Sequence, residues 1–173
     1  EQVEVVVEKE LGDVTDRIIE KEQLPEVRFT NITTEAGIDF VHNNGAAGNK
    51  LLPETMGAGV AFFDYDGDAD QDLLLINGRS WPEDAPITPS TMKLYDNDGR
   101  GSFTDVTSSV GLDVSFYGVG VAVGDYDNDG DRDIFVSTLG ENRMFENDAG
   151  RFRDVTESAG VAGEVAGRAD DPV

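Results

Sequence analysis

The sequence predicts an all-β chain of two four-stranded antiparallel repeats, each carrying an acidic loop, with one further strand at the N-terminus. Three observations carry that expectation. An aspartate-rich nonapeptide occurs twice, as Asp64-Tyr65-Asp66-Gly67-Asp68-Ala69-Asp70-Gln71-Asp72 and Asp125-Tyr126-Asp127-Asn128-Asp129-Gly130-Asp131-Arg132-Asp133, 61 residues apart. Apolar runs of strand length flank both copies: 59–63 and 73–76 around the first, 120–124 and 134–136 around the second. A Phe-led motif occurs at Phe29, Phe103 and Phe152, each time followed by Asn or Asp two residues later, Thr two after that, and Gly a further four on. Self-similarity at such periods marks stacked or radial repeat architectures.

Taken in order, Val3, Val5 and Val7 among glutamates predict a strand over 2–8, since β-branched residues fit a pleated surface. Residues 11–26 are polar and read either as a short helix from about Asp13 or as a linker, ended by Pro25. A strand is expected over 27–33. The first repeat has strands at 58–63, 72–77, 92–96 and 102–107. The second has them at 119–124, 133–138, 142–146 and 151–156. Asn97-Asp98-Gly99 and Asn147-Asp148-Ala149-Gly150 are the hairpin turns. Extra residues near 43–53 and 80–91 separate the copies, the second stretch holding Trp81, Pro82, Pro86 and Pro89 and reading as an ordered loop. Domain limits follow: an N-terminal strand and linker over 1–26, a repeat domain over 27–163 with units at 57–112 and 118–161, and a tail over 164–173. Four antiparallel strands in 50–60 residues is the size of a β-propeller blade.

The acidic loops predict two cation sites. Two carboxylates about 4 Å apart repel by about 4 kcal/mol at an effective dielectric near 20, and a hard divalent cation offsets that. Calcium accepts six to eight oxygens in a forgiving geometry, whereas magnesium wants a stricter octahedron and keeps its waters. Counting from the first Asp, positions one, three, five and nine supply side-chain oxygens: Asp64, Asp66, Asp68, Asp72 and Asp125, Asp127, Asp129, Asp133. Position seven, Asp70 or Asp131, supplies its backbone carbonyl. Position six needs positive φ; it is Gly130 in the second loop but Ala69 in the first, which makes the first the weaker site. A helical calcium hand is excluded, because its twelfth position is a bidentate Glu before a helix and here it is Leu75 or Val136 in an apolar run.

Composition narrows function further. The 173 residues include 36 acids against 13 Lys and Arg, a formal charge of −23 that two calcium ions would bring to −19. Such a surface repels nucleic acid and anionic membranes, and no apolar run approaches the ~20 residues of a membrane-spanning helix. The absence of cysteine excludes disulfides and thiolate metal sites. His42, the single histidine, reads as a packing or loop residue. Trp81 reads as a loop anchor in preference to a sugar platform. Asn31-Ile32-Thr33 is an N-glycosylation sequon, and the Pro, Thr and Ser residues of 86–91 form a weaker O-glycan candidate. No phosphate-binding glycine loop or nucleophile elbow appears, and the paired carboxylates are already engaged in the cation loops. The expected protein is therefore not an enzyme.

Gly59–Asp68 and Gly120–Asp131 resemble the calcium-loop repeats of the FG-GAP/VCBS superfamily. Phe40–Gly45, Leu52–Gly57 and Phe103–Thr107 resemble more narrowly its ASPIC/UnbV (CRTAC-like) branch. The resemblance covers roughly 27–163 and implies integrin-α-like propeller blades, calcium at the Asp loops, secreted or cell-surface residence, and adhesive or structural roles without catalysis. Family propellers hold about seven repeats and this chain has two, so the expectation is either a piece of a longer protein or an assembly of copies. The Val3–Val7 strand is a candidate arm for self-association, added to a partner's open blade edge, and head-to-tail addition that does not close builds a filament. Binding of a glycan or protein ligand is the alternative role.

Overall fold

The structure, a computed structural model, describes residues 27–48, 50–81 and 90–163. The chain divides into two compact units, Glu1–Asn31 and Ile32–Val173. The strand expected over 2–8, the segment 11–26, the Pro-rich residues 82–89 and the tail 164–173 lie outside the described residues. All eight strands expected for the two repeats are present: β1 (Val60–Phe63), β2 (Asp72–Leu75), β3 (Lys93–Asn97), β4 (Phe103–Asp105), β5 (Gly118–Gly124), β6 (Asp133–Thr138), β7 (Arg143–Asp148) and β8 (Arg151–Asp154). They form two antiparallel sheets, β1-β2-β3-β4 and β5-β6-β7-β8, with a register shift at Gly118/Gly120 in the second.

The fourth strands stop short of the expected 107 and 156 for a local reason. Asp105 Oδ1 accepts from the amide of Thr107 at 3.0 Å and from its hydroxyl at 2.5 Å; Asp154 does the same with Thr156 at 3.0 and 2.6 Å. These side-chain turns divert the backbone from the ladder. In the second repeat the chain then winds into a four-residue helix, α1 (Thr156–Ala159), closed by Gly160 in the left-handed region. The strand expected over 27–33 is absent: 27–32 has no regular structure and 33–37 is a turn. The later copies of the motif are held as strands by pairing with β3 and β7.

The sheets pack face to face. Side chains alternate between faces along a strand, so the pairings Phe62↔Leu73 and Val60↔Leu75 put those four residues on one face of the first sheet. Phe63, Leu74, Ile76 and Leu94 belong to the other face, and they meet Ile134, Val136, Phe145 and Phe152 in one cluster, with Val121 and Val123 packed against it. Each fully buried aliphatic side chain there contributes about 1.5–3 kcal/mol. Val121 and Val123 are the counterparts of Val60 and Phe62, one repeat on. In the second sheet this face is packed; in the first, Val60 and Phe62 are 57% and 62% exposed.

A turn seals the outer end of the contact. The carbonyl of Val110 accepts from Phe152 N at 2.8 Å, just as that of Ala36 accepts from Phe103 N at 2.8 Å. The glycine after each, Gly111 or Gly37, has positive φ and lies so close that a Cβ would sit 2.6 Å from the Phe carbonyl oxygen. Elsewhere, Leu52–Thr55 forms a 3-10 turn. Trp81 stacks on Tyr117 at 5.0 Å and donates to Glu54 at 3.2 Å, as a loop anchor does. His42 is exposed on irregular chain. No helix among the described residues is long and apolar enough to cross a membrane.

Candidate metal centres

Each acidic loop joins the first two strands of its blade, and its own carboxylates shape it. Asp64 closes the first loop by accepting from Gly67 N at 2.7 Å and Ala69 N at 3.0 Å; Asp125 closes the second through Asp129 N and Gly130 N, both at 3.1 Å. Asp66 and Asp127 each accept from the amide two residues on, at 3.3 and 3.2 Å. The ninth position opens the next strand and is buried in both loops. Asp72 accepts from Tyr65 N at 3.0 Å and Asn97 N at 2.9 Å, and Asp133 accepts from Tyr126 N and Asn147 N, both at 2.8 Å. That carboxylate therefore ties the loop to the end of the third strand.

The result is a pair of matching triads. Oxygens of Asp64, Asp66 and Asp72 lie within 4.8 Å of one another, and so do those of Asp125, Asp127 and Asp133. The four other expected ligands stand outside the triads. Asp68 and Asp129 accept from Asp70 N at 3.0 Å and Asp131 N at 2.9 Å. Asp131 also reaches the next hairpin, accepting from Ala149 N at 2.8 Å. Asp70 faces the corresponding hairpin at Gly99, with its Oδ1 buried and without a hydrogen-bond partner. Position six has positive φ in both loops, +75° at Ala69 and +105° at Gly130, as expected from the sequence.

Burial and mutual repulsion disfavour the charged carboxylates. Burial pushes Asp72 up to about 6, against the hydrogen bonds from Tyr65 and Asn97 that hold it down. Asp66 and Asp127 are raised chiefly by burial, with the neighbouring Asp68 and Asp129 charges adding to it. Asp70 is raised by burial and by Asp68. A bound divalent cation reverses the sign of these interactions. The converging donors are all carboxylate oxygen, a set that fits a hard cation such as calcium. A cleft of about 520 Å³ opens between the loops, lined among others by Phe62, Tyr65, Gln71, Val123, Asp131 and Arg132.

The asparagines at the ends of the third strands, which the sequence reading placed in hairpin turns, also bond to the acidic loops. Asn97 Nδ2 donates to the carbonyl of Gln71 at 2.9 Å, within its own blade. Asn147 is fully buried and does more: its Nδ2 donates to Arg132 O at 3.2 Å in its own loop and to Tyr65 O at 2.7 Å in the loop of the first blade, while its Oδ1 accepts from Gly150 N at 2.9 Å. The recurrence of an Asn-Asp pair at 97–98 and 147–148, in each case opening the turn before the last strand of the repeat, was the available signal.

Comparison with known proteins agrees with this architecture. The model of the FG-GAP-like repeat matches residues 76–136, from the end of β2 through the second acidic loop into β6. Cartilage acidic protein 1 of Xenopus tropicalis is 35% identical over 122 residues, an alignment covering 67% of this chain and 17% of that protein. With two β-propeller-type blades, an acidic loop at the same place in each and these matches, the chain belongs to the FG-GAP-like repeat family.

Proposed function

We propose that the chain is an extracellular calcium-binding β-repeat module with a structural or adhesive role and no catalytic one. The observation that carries this reading is the recurrence of one oxygen triad, Asp64/Asp66/Asp72 and Asp125/Asp127/Asp133, in identical register on two blades. Calcium supplies charge neutralisation that lets the carboxylates converge, and each ninth-position Asp passes the resulting rigidity to the sheet. Extracellular residence is supported by the family and by the high calcium such loops need. The test is thermal unfolding with and without calcium. At free calcium near 100 times Kd, ligation adds about 2.7 kcal/mol, a rise of about 5–10 °C for a domain of this size. Asp64→Asn with Asp125→Asn should abolish the rise; an equal melting temperature in calcium and in chelator would refute the reading.

A second reading concerns what surrounds the module. The chain spans 17% of the length of the relative it matches. Val60 and Phe62 at one end and Tyr126 at the other are exposed where their repeat counterparts pack against a blade. Both ends fit further blades, of a larger secreted glycan- or protein-binding propeller or of other copies of this chain. Strand addition by Val3–Val7 and glycosylation at Asn31 belong to the same proposal. Light scattering of the chain in calcium distinguishes a homopolymer from a monomer near 18.6 kDa.

A further inference from the structure

We infer that the Asn147 side chain couples the two cation sites, so that filling one acidic loop raises the affinity of the other. The inference rests on the calcium reading above and adds a linkage to it. Asn147 is the described residue whose side chain bonds both loops. Its amide donates to the Tyr65 carbonyl, between the triad members Asp64 and Asp66, and to the Arg132 carbonyl, next to the triad member Asp133. Its backbone amide binds the Asp133 carboxylate directly. Gly150 N in turn occupies its Oδ1, so both amide hydrogens and the acceptor are engaged and the group has no rotational freedom.

The contact is reinforced on either side. A Cβ on Gly150 would lie 3.3 Å from the Asp66 Cβ, so the second blade's hairpin sits against the first blade's loop. The Tyr65 ring stacks on Phe152 at 6.4 Å. Ordering either loop around a cation therefore fixes the amide that the other loop needs in place, and two ligands that order a shared element bind cooperatively. Asn97, confined to its own blade, offers an internal control.

The experiment measures calcium affinity at each loop of the full chain with the other loop intact or disabled. Asp125→Asn with Asp127→Asn should weaken calcium at the first loop by about fivefold or more, the lower end of ordinary coupling. Asp64→Asn with Asp66→Asn should weaken the second loop by the same factor, because linkage is reciprocal. Asn147→Ser should bring both factors to one, while Asn97→Ser should leave them unchanged. Equal affinities with the other loop intact or disabled would overturn the inference and leave the calcium reading standing. Coupling that survives Asn147→Ser would overturn the role of Asn147, and absence of calcium binding in the unaltered chain would remove both. The Asn147 side-chain amide resonance provides a readout that needs no change at Asn147: it should shift whichever of the two loops is filled, and a response to filling one particular loop but not the other would count against the coupling.

Discussion

The Tyr65 ring stacks on Phe152 across the blade interface, with centroids 6.4 Å apart and planes 27° apart, and Tyr65 is 8% exposed. Its repeat counterpart Tyr126 is 46% exposed and donates its hydroxyl to Glu146 at 3.1 Å. One sequence position thus has two environments among the described residues, Tyr65 covered by the second blade and Tyr126 open. Removing a buried aromatic ring costs about 3–5 kcal/mol, whereas surface changes usually stay within about 0.5 kcal/mol. Tyr65→Ala should therefore lower the urea midpoint sharply and Tyr126→Ala hardly at all. Equal losses would mean that the two blades do not pack as described.

The turn glycines make a parallel case. Gly111 and Gly160 both have positive φ, but a Cβ on Gly111 would meet the Phe152 carbonyl oxygen at 2.6 Å, and one on Gly160 would meet nothing within 4 Å. Gly160→Ala should cost only the backbone term, about 1–2 kcal/mol. Gly111→Ala should cost clearly more, because the bond between Val110 O and Phe152 N must give way. Chemical denaturation of the two variants measures the difference.

Ala69 occupies a left-handed position at φ +75° where the second loop has glycine. Ala69→Gly relieves the Cβ conflict and should stabilise the chain by about 1 kcal/mol. It should also strengthen calcium binding at the first loop, measured by titration against the unaltered chain.

The pH dependence without calcium follows from Asp72. Its carboxyl is raised to about 6 by burial, above the roughly 3.9 of an unfolded chain. Between those values the native state keeps a proton that the unfolded state has lost, so stability falls as pH rises from about 4 to about 6, by up to about 3 kcal/mol. Asp105 and Asp154 act with the opposite sign. Burial works to raise both, but their hydrogen bonds and the cations Lys93 and Arg143 outweigh it, and both are lowered. The stability they contribute is present above the unfolded value and is lost as pH falls below about 4. Denaturant midpoints of the calcium-stripped chain should therefore fall from pH 4 to 6, and added calcium should suppress the fall. A steady rise over that range would contradict it.

Much of this was legible in the sequence, for local reasons. Strand alternation around the Asp loops and the Asn-Asp-Gly turns located all eight strands, and the five aspartates of each nonapeptide include the three that converge, though the register alone does not single those three out. Strand ends were misjudged where Asp105 and Asp154 turn the chain back through Thr107 and Thr156. The strand expected at 27–33 needs a neighbour that local pattern does not supply. What periodicity cannot express is which blade face meets which. The bond from Asn147 to Tyr65 spans 82 residues, and the contrast between Tyr65 and Tyr126 exists only after packing.

Isothermal titration of the calcium-stripped chain with calcium reads both proposed sites at once. Saturable binding of two calcium ions per chain is expected, with one lost on Asp72→Asn and the other on Asp133→Asn. Titrations that show no saturable binding, or binding that persists in the double variant, would contradict the calcium reading.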